Sequence, residues 1–225
     1  MSIQKLGVRE TLIGKIDRQS RVNDMFTGDC DVATFKADSV LWPGNETWSE
    51  IKHFKTTESG SRRLEEYHYI PRDGSRAYLP VGFMFEQMPD GRSEVRVHSD
   101  HHLVDDRAPI LPVKEGIHPW RSEEDVLFTY FQVLGSNRLE EVLDLFDEDG
   151  YFRHSNAETF KGREELRVDF TKMMGNSGIK VQYCQFTDDG TTCAAEVYMP
   201  SGRPAIAVYE RSQTPGRLHA VRIYM

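Results

Sequence analysis

Two stretches of this chain run through the same order of pieces, and that repetition limits what it can fold into. Residues 67–98 and 183–224 each open on an aromatic, strand-like run and turn at an Asp-Gly pair, Asp73-Gly74 or Asp189-Gly190. Each then passes along an apolar run to Glu86 or Glu210, and turns at a Pro/Gly pair before Arg92 or Arg217. Each ends in a short alternating run, Glu94–Val97 or Ala220–Ile223. Asp-Gly between alternating runs is a hairpin signal, so each copy predicts a three-strand antiparallel meander. Upstream, Thr34–Asp38 echoes Leu145–Asp149, strands follow at Ser39–Trp42 and Gly150–Arg153, and helix-like segments come next at Ser49–Phe54 and Arg163–Phe170. The expectation is α+β, two small domains in tandem.

Between the copies, residues 105–120 hold Pro109, Pro112 and Pro119 without periodicity, which predicts an extended linker. The expected domains are therefore 1–104 and 121–225. The second has the clearer helices. Ser122 predicts an N-cap with Glu123 and Glu124 at the positive end of the dipole. Leu127, Tyr130, Phe131 and Leu134 then fall on one helical face until Gly135. Leu139, Val142, Leu143 and Phe146 predict a second helix, and Leu166, Phe170, Met173 and Met174 a third. In the first copy only Val8, Leu12, Ile13 and Ile16 hint at a leading helix, so that domain is expected to be degenerate.

Net charge of −8 and a pI near 5.5 argue against nucleic acid or an anionic membrane as partner. No run of about eighteen apolar residues predicts a membrane span. The opening MSIQKLGVRE has no secretion-signal core, so a cytoplasmic protein is expected. Cys30, Cys184 and Cys193 form no CxxC or zinc pattern and read as reduced thiols. GxGxxG, GxxxxGK[ST] and GxSxG are all missing, so no flavin, nicotinamide or ATP cofactor is expected.

The order of three helices before a final sheet, with DLFDEDGYFRHS and TFKGREELRVDF in sequence and AVYERSQTPGRLHAVRIYM at the end, resembles the nuclear transport factor 2-like (cystatin-like) superfamily. SnoaL-like and ketosteroid-isomerase-like enzymes are the nearer match. The resemblance covers 121–225, and 30–104 more weakly. It implies tandem cone-shaped domains, each with helices packed on a curved antiparallel sheet, and the two copies as an internal pseudo-dimer with room for further homo-oligomers. It also implies an oxyanion-donor role for Tyr130 and an acid/base role for His154, 24 residues on. The isomerases' second acid is missing from Ile206-Ala207-Val208, and Pro43 stands where the first copy would need a base.

The residues allow a plainer reading beside each role. Tyr130 lies on an apolar helix face, where a phenol bonds either a substrate oxygen or a backbone carbonyl. His154 follows a strand, where imidazole serves proton transfer near neutral pH or simply faces solvent in a loop. Glu196 and Tyr198 share one strand face, and Arg222 with Tyr224 poses the same question; they orient a substrate or make a cross-strand Glu–Arg pair. His98, Asp100 and His102 would share a face as metal ligands if their strand continued; a polar strand end is the simpler reading, and no metal is expected.

These residues together predict a cofactor-independent isomerase, dehydratase or lyase. Its substrate would be small, hydrophobic, and aromatic or polycyclic. The alternative is a non-catalytic small-molecule-binding or association module of the same fold.

Overall fold

The computed structural model describes residues 30–31, 48–91, 93–99 and 111–225. The leading helix expected near Val8, the strand at Ser39–Trp42, Pro43, and Asp100 with His102 lie outside them. The chain divides into two compact units, Met1–Ile110 and Leu111–Met225.

The first unit contains β1 (Cys30–Asp31), β2 (Trp48–Ser59), β3 (Arg62–Pro71), β4 (Leu79–Gln87) and β5 (Ser93–Ser99), in the order β1-β5-β4-β3-β2. All pairs are antiparallel except β1/β5. Leu64, Tyr67, Tyr69, Val81, Phe83 and Phe85 are its buried apolar residues on β3 and β4. Ser49–Phe54 was expected as helix and is strand. Its one apolar pair at helical spacing, Ile51 and Phe54, is not continued by an apolar residue at Lys55, and its backbone bonds to β3 through two register shifts. Asp73-Gly74 does turn the chain, in the loop between β3 and β4, where Asp73 Oδ1 accepts the Ser75 N–H at 2.9 Å.

The second unit runs α1 (Val126–Gly135), α2 (Leu139–Asp144), β6 (Phe146–Arg153), β7 (Thr159–Lys161), α3 (Gly162–Met174), β8 (Gln182–Asp188), β9 (Thr192–Tyr198), β10 (Pro204–Arg211) and β11 (Leu218–Tyr224). Its sheet has the order β7-β6-β11-β10-β9-β8, antiparallel except for the β6/β11 pair. The expected three-strand meander is four-stranded, because the chain reverses again between Met199 and Arg203, whose backbones bond at 2.9 Å. Asp125, not Ser122, caps α1: its carboxylate accepts the Leu127 N–H, while Ser122 only closes the turn before it.

The helices lay Leu127, Tyr130, Val133, Val142, Leu143, Leu166 and Phe170 on one sheet face, against Ala195, Val197, Ala207, Tyr209 and Val221. Each fully buried side chain of this size contributes roughly 1.5–3 kcal/mol. Residues 111–120, part of the expected linker, run against this same unit. The Lys114 N–H donates to Tyr183 O at 2.9 Å, and the Trp120 ring packs on Phe128 and Phe131. Cys184 and Cys193 are buried free thiols. Among the described residues, no helix is long and apolar enough to cross a membrane.

Candidate functional site

His154 is placed by the hairpin that joins β6 to β7. Its N–H donates to Glu158 O at 2.9 Å, and its carbonyl accepts from Ala157 N at 3.1 Å, with Ala157 at φ +75°. The imidazole stands edge-on to Phe152 and Phe160, with centroids at 4.9 and 5.7 Å. These rings leave it few orientations. From α3, the Asp169 carboxylate meets its Nε2 with both oxygens, at 2.9 and 3.0 Å. An ionised carboxylate only accepts, so Nε2 carries the hydrogen and the lone pair belongs to Nδ1. The residue is therefore set up as a base at one nitrogen and anchored at the other. Asp169 is 4% exposed. A buried carboxylate in this position holds the imidazole in one orientation and tautomer.

Tyr130 is buried on the helical side of the sheet, as its spacing predicted. Its ring lies 5.8 Å from that of Tyr209 and 6.2 Å from Phe146. Burial, with the Asp169 charge adding to it, pushes the phenol above its ordinary value, so it stays a neutral donor. The backbone-carbonyl partner weighed for it does not materialise: among the described residues its hydroxyl makes no hydrogen bond. Around it, Phe131 touches Tyr183 and Tyr209 edge-on at 5.6 and 5.1 Å. Burial raises both of those phenols too. Asp169 thus links His154, by direct contact, to Tyr130, through its field.

Glu196, Tyr198 and Arg222 are not brought to this cluster. Cross-strand register puts Glu196 opposite Ile206 and Arg222 opposite Val208, while the core cluster is built from the alternate positions Ala195, Ala207 and Val221. They therefore face away from Tyr130. Glu196 accepts from Gln185 Nε2 at 2.6 Å, Tyr198 donates to Leu111 O at 3.3 Å, and Arg222 donates to Glu210 Oε2 at 2.6 Å. The Glu–Arg pair weighed in the sequence exists, with Glu210 as the acid. His98 is buried at the end of β5. Among the described residues, one set of side chains has metal-ligand spacing, Asp147, Asp149 and His219, with ligand atoms within 4.8 Å of one another at partly or fully exposed positions.

Sequence reasoning missed Asp169. The signal was present: Leu166, Asp169, Phe170 and Met173 fall at i, i+3, i+4 and i+7, so an acid sits inside the apolar stripe of α3. An ionisable group there needs a partner. His154 is that partner.

Three helices on one face of a mixed sheet, with a His–Asp pair and a group of tyrosines on that face, make this unit a helix-on-sheet α+β domain. Residues 128–222 match the family model of the SnoaL-like domain. No curated protein matches the chain. Among solved structures, an NTF2-like protein of unknown function from Cytophaga hutchinsonii shares 15% identity, over 48% of this chain and 93% of its own, at a TM-score of 0.37. A putative ketosteroid isomerase from Kribbella flavida shares 19%, over 44% and 75%, at 0.36. An LEH-like epoxide hydrolase of M. tuberculosis shares 16%, over 44% and 80%, at 0.36.

Proposed function

We propose that the SnoaL-like domain is a cofactor-independent acid/base enzyme for a small, hydrophobic, ring-containing substrate. His154 is its proton carrier, Asp169 its orienter and Tyr130 its electrophilic donor. The observation that carries this is the two-oxygen grip of Asp169 on His154 Nε2, next to a buried phenol without a hydrogen-bond partner among the described residues. Nδ1 of His154 removes a proton from carbon beside a carbonyl. Tyr130 donates to the carbonyl oxygen as it gains negative charge, and Asp169 balances the imidazolium. Return of the proton to another carbon gives isomerisation. Its delivery to a departing hydroxyl gives dehydration. Aromatic walls at Phe131, Phe146, Tyr183 and Tyr209 support a ring-containing substrate.

The test is turnover against pH on a carbonyl substrate found by thermal-shift screening. His154→Ala should lower kcat by roughly 10²–10⁴-fold, the span of positioned proton transfer, in protein that is still folded at the assay temperature. Asp169→Asn should change the shape of that pH profile, and an unchanged profile would mean that Asp169 does not act through His154. Full activity in His154→Ala removes His154 from the mechanism, and absence of turnover in wild type leaves the domain a binding module.

A further inference from the structure

The acid/base reading uses one phenol, yet α1, β8 and β10 bring three together. Tyr130 and Tyr209 are both buried, with centroids 5.8 Å apart, and Tyr183 is joined to them through the ring of Phe131 at 5.6 and 5.1 Å. Among the described residues none of the three hydroxyls makes a hydrogen bond, to one another or to any other group. Beside the effect of burial, Tyr130 raises the titration of Tyr183, and both raise that of Tyr209. None of the three is a fully buried oxygen left without a partner, so each hydroxyl is open to a ligand with oxygens of its own. Among the described residues no Lys or Arg contributes to the shifts of the three phenols; Cys193, paired in register with Tyr209, does. Neutral donors of this kind suit carbonyl or hydroxyl oxygens and give no preference for a phosphate or sulfate.

We infer that Tyr183 and Tyr209 are specificity-determining residues that hold a second oxygen of the substrate, beside the one that Tyr130 polarises. The substrate class is then a ring compound with at least two oxygen functions. This rests on the acid/base reading for which oxygen reacts, but binding alone tests it.

The experiment is isothermal titration calorimetry at pH 7 with 2-naphthol and 2,7-dihydroxynaphthalene, alike except for the second oxygen. Wild type should bind the dihydroxy probe about 2–10-fold more tightly, the size of one neutral hydrogen bond. Tyr183→Phe and Tyr209→Phe should each shrink that preference and leave 2-naphthol affinity unchanged. Tyr183 is only half-buried, so its variant keeps the test readable if Tyr209→Phe fails to fold. Equal binding of the two probes, or a preference that survives both variants, overturns the inference and leaves His154 and Asp169 untouched. Binding of neither probe by wild type overturns the inference as well, and the turnover of His154→Ala tests the acid/base reading separately.

Discussion

Asp169 accepts the Nε2–H of His154 on both carboxylate oxygens, at 2.9 and 3.0 Å. The contact fixes a tautomer, and that is measurable without a substrate. In ¹⁵N spectra of neutral His154, Nδ1 should show the unprotonated shift and Nε2 the protonated one. Asp169→Asn offers an amide that donates as well as accepts, so the tautomers should mix. In turnover, Asp169→Asn should fall by roughly 10²–10⁴-fold, and the double variant with His154→Ala should be no worse than His154→Ala alone, as for residues that act as a unit. Additive losses would mean that the two residues work separately.

Buried phenols make alkaline stability a second readout. Burial first, then neighbouring charges, raises Tyr130, Tyr183 and Tyr209 above the ordinary value near 10, and burial also raises the Cys193 thiol. Above that pH the unfolded chain loses protons that the folded chain keeps. Their contribution is therefore complete below about pH 10 and lost as pH rises further. Urea unfolding should show stability level from pH 7 to 9 and falling beyond, with a shallower fall in Tyr130→Phe. An identical slope in that variant would mean its phenol titrates freely.

The sequence reading held where one face of an element is apolar and the other wet. The stripe through Leu127, Tyr130 and Leu134 is such a case, and α1 carries it. It failed where that contrast vanishes. In β9 every residue but Tyr198 is buried, and Ala194 beside Ala195 marks neither face, so the direction of Glu196 was not legible. At Ser49–Phe54 a mostly exposed strand offers no periodicity, and only pairing with β3 decides its form. The acid/base pair is 15 residues apart in sequence, split between a hairpin and a helix. Only folding shows that they meet.

Arg211 ties the start of α1 to the β8–β9 turn. Its guanidinium donates to Asp125 at 3.0 and 2.7 Å and to Asp188 at 3.1 and 3.0 Å, with all three side chains largely buried. Burial alone would raise the Asp125 carboxyl, but bonds from Arg211 and the Arg121 and Leu127 N–H groups outweigh it and hold it below its ordinary value. Arg211→Ala leaves two buried carboxylates without this cation and should cost about 3–5 kcal/mol in urea unfolding at pH 7. Arg211→Lys, a point cation without the fork, should recover only part. The lowered Asp125 contributes fully above its unfolded value, about 3.9, and loses that contribution as pH falls through the lower folded value. The gap between wild type and Arg211→Ala should therefore narrow below about pH 4. A gap constant from pH 7 to 3 would show that the loss is packing and not charge.

Gly178 sets how α1 sits against the strand that carries Tyr183. Just beyond it, the Ile179 N–H donates to Leu134 O at 3.2 Å, which caps a carbonyl at the end of α1. At φ +69°, a Cβ on Gly178 would come within 2.4 Å of that same Leu134 oxygen and 3.0 Å of Asn137 N. Gly175 provides the control, with φ +51° but nothing within 4 Å of its Cβ position. Gly175→Ala should cost only the backbone penalty of a conformation that residues with a Cβ rarely adopt, roughly 1–3 kcal/mol. Gly178→Ala should cost at least about 1 kcal/mol more, because the clash is with backbone and the last turn of α1 must move. That movement would shift Tyr130 against Tyr183, so naphthol affinity should drop in Gly178→Ala and not in Gly175→Ala. Equal melting temperatures for the two variants would mean that the end of α1 yields freely and does not fix the spacing of the phenols.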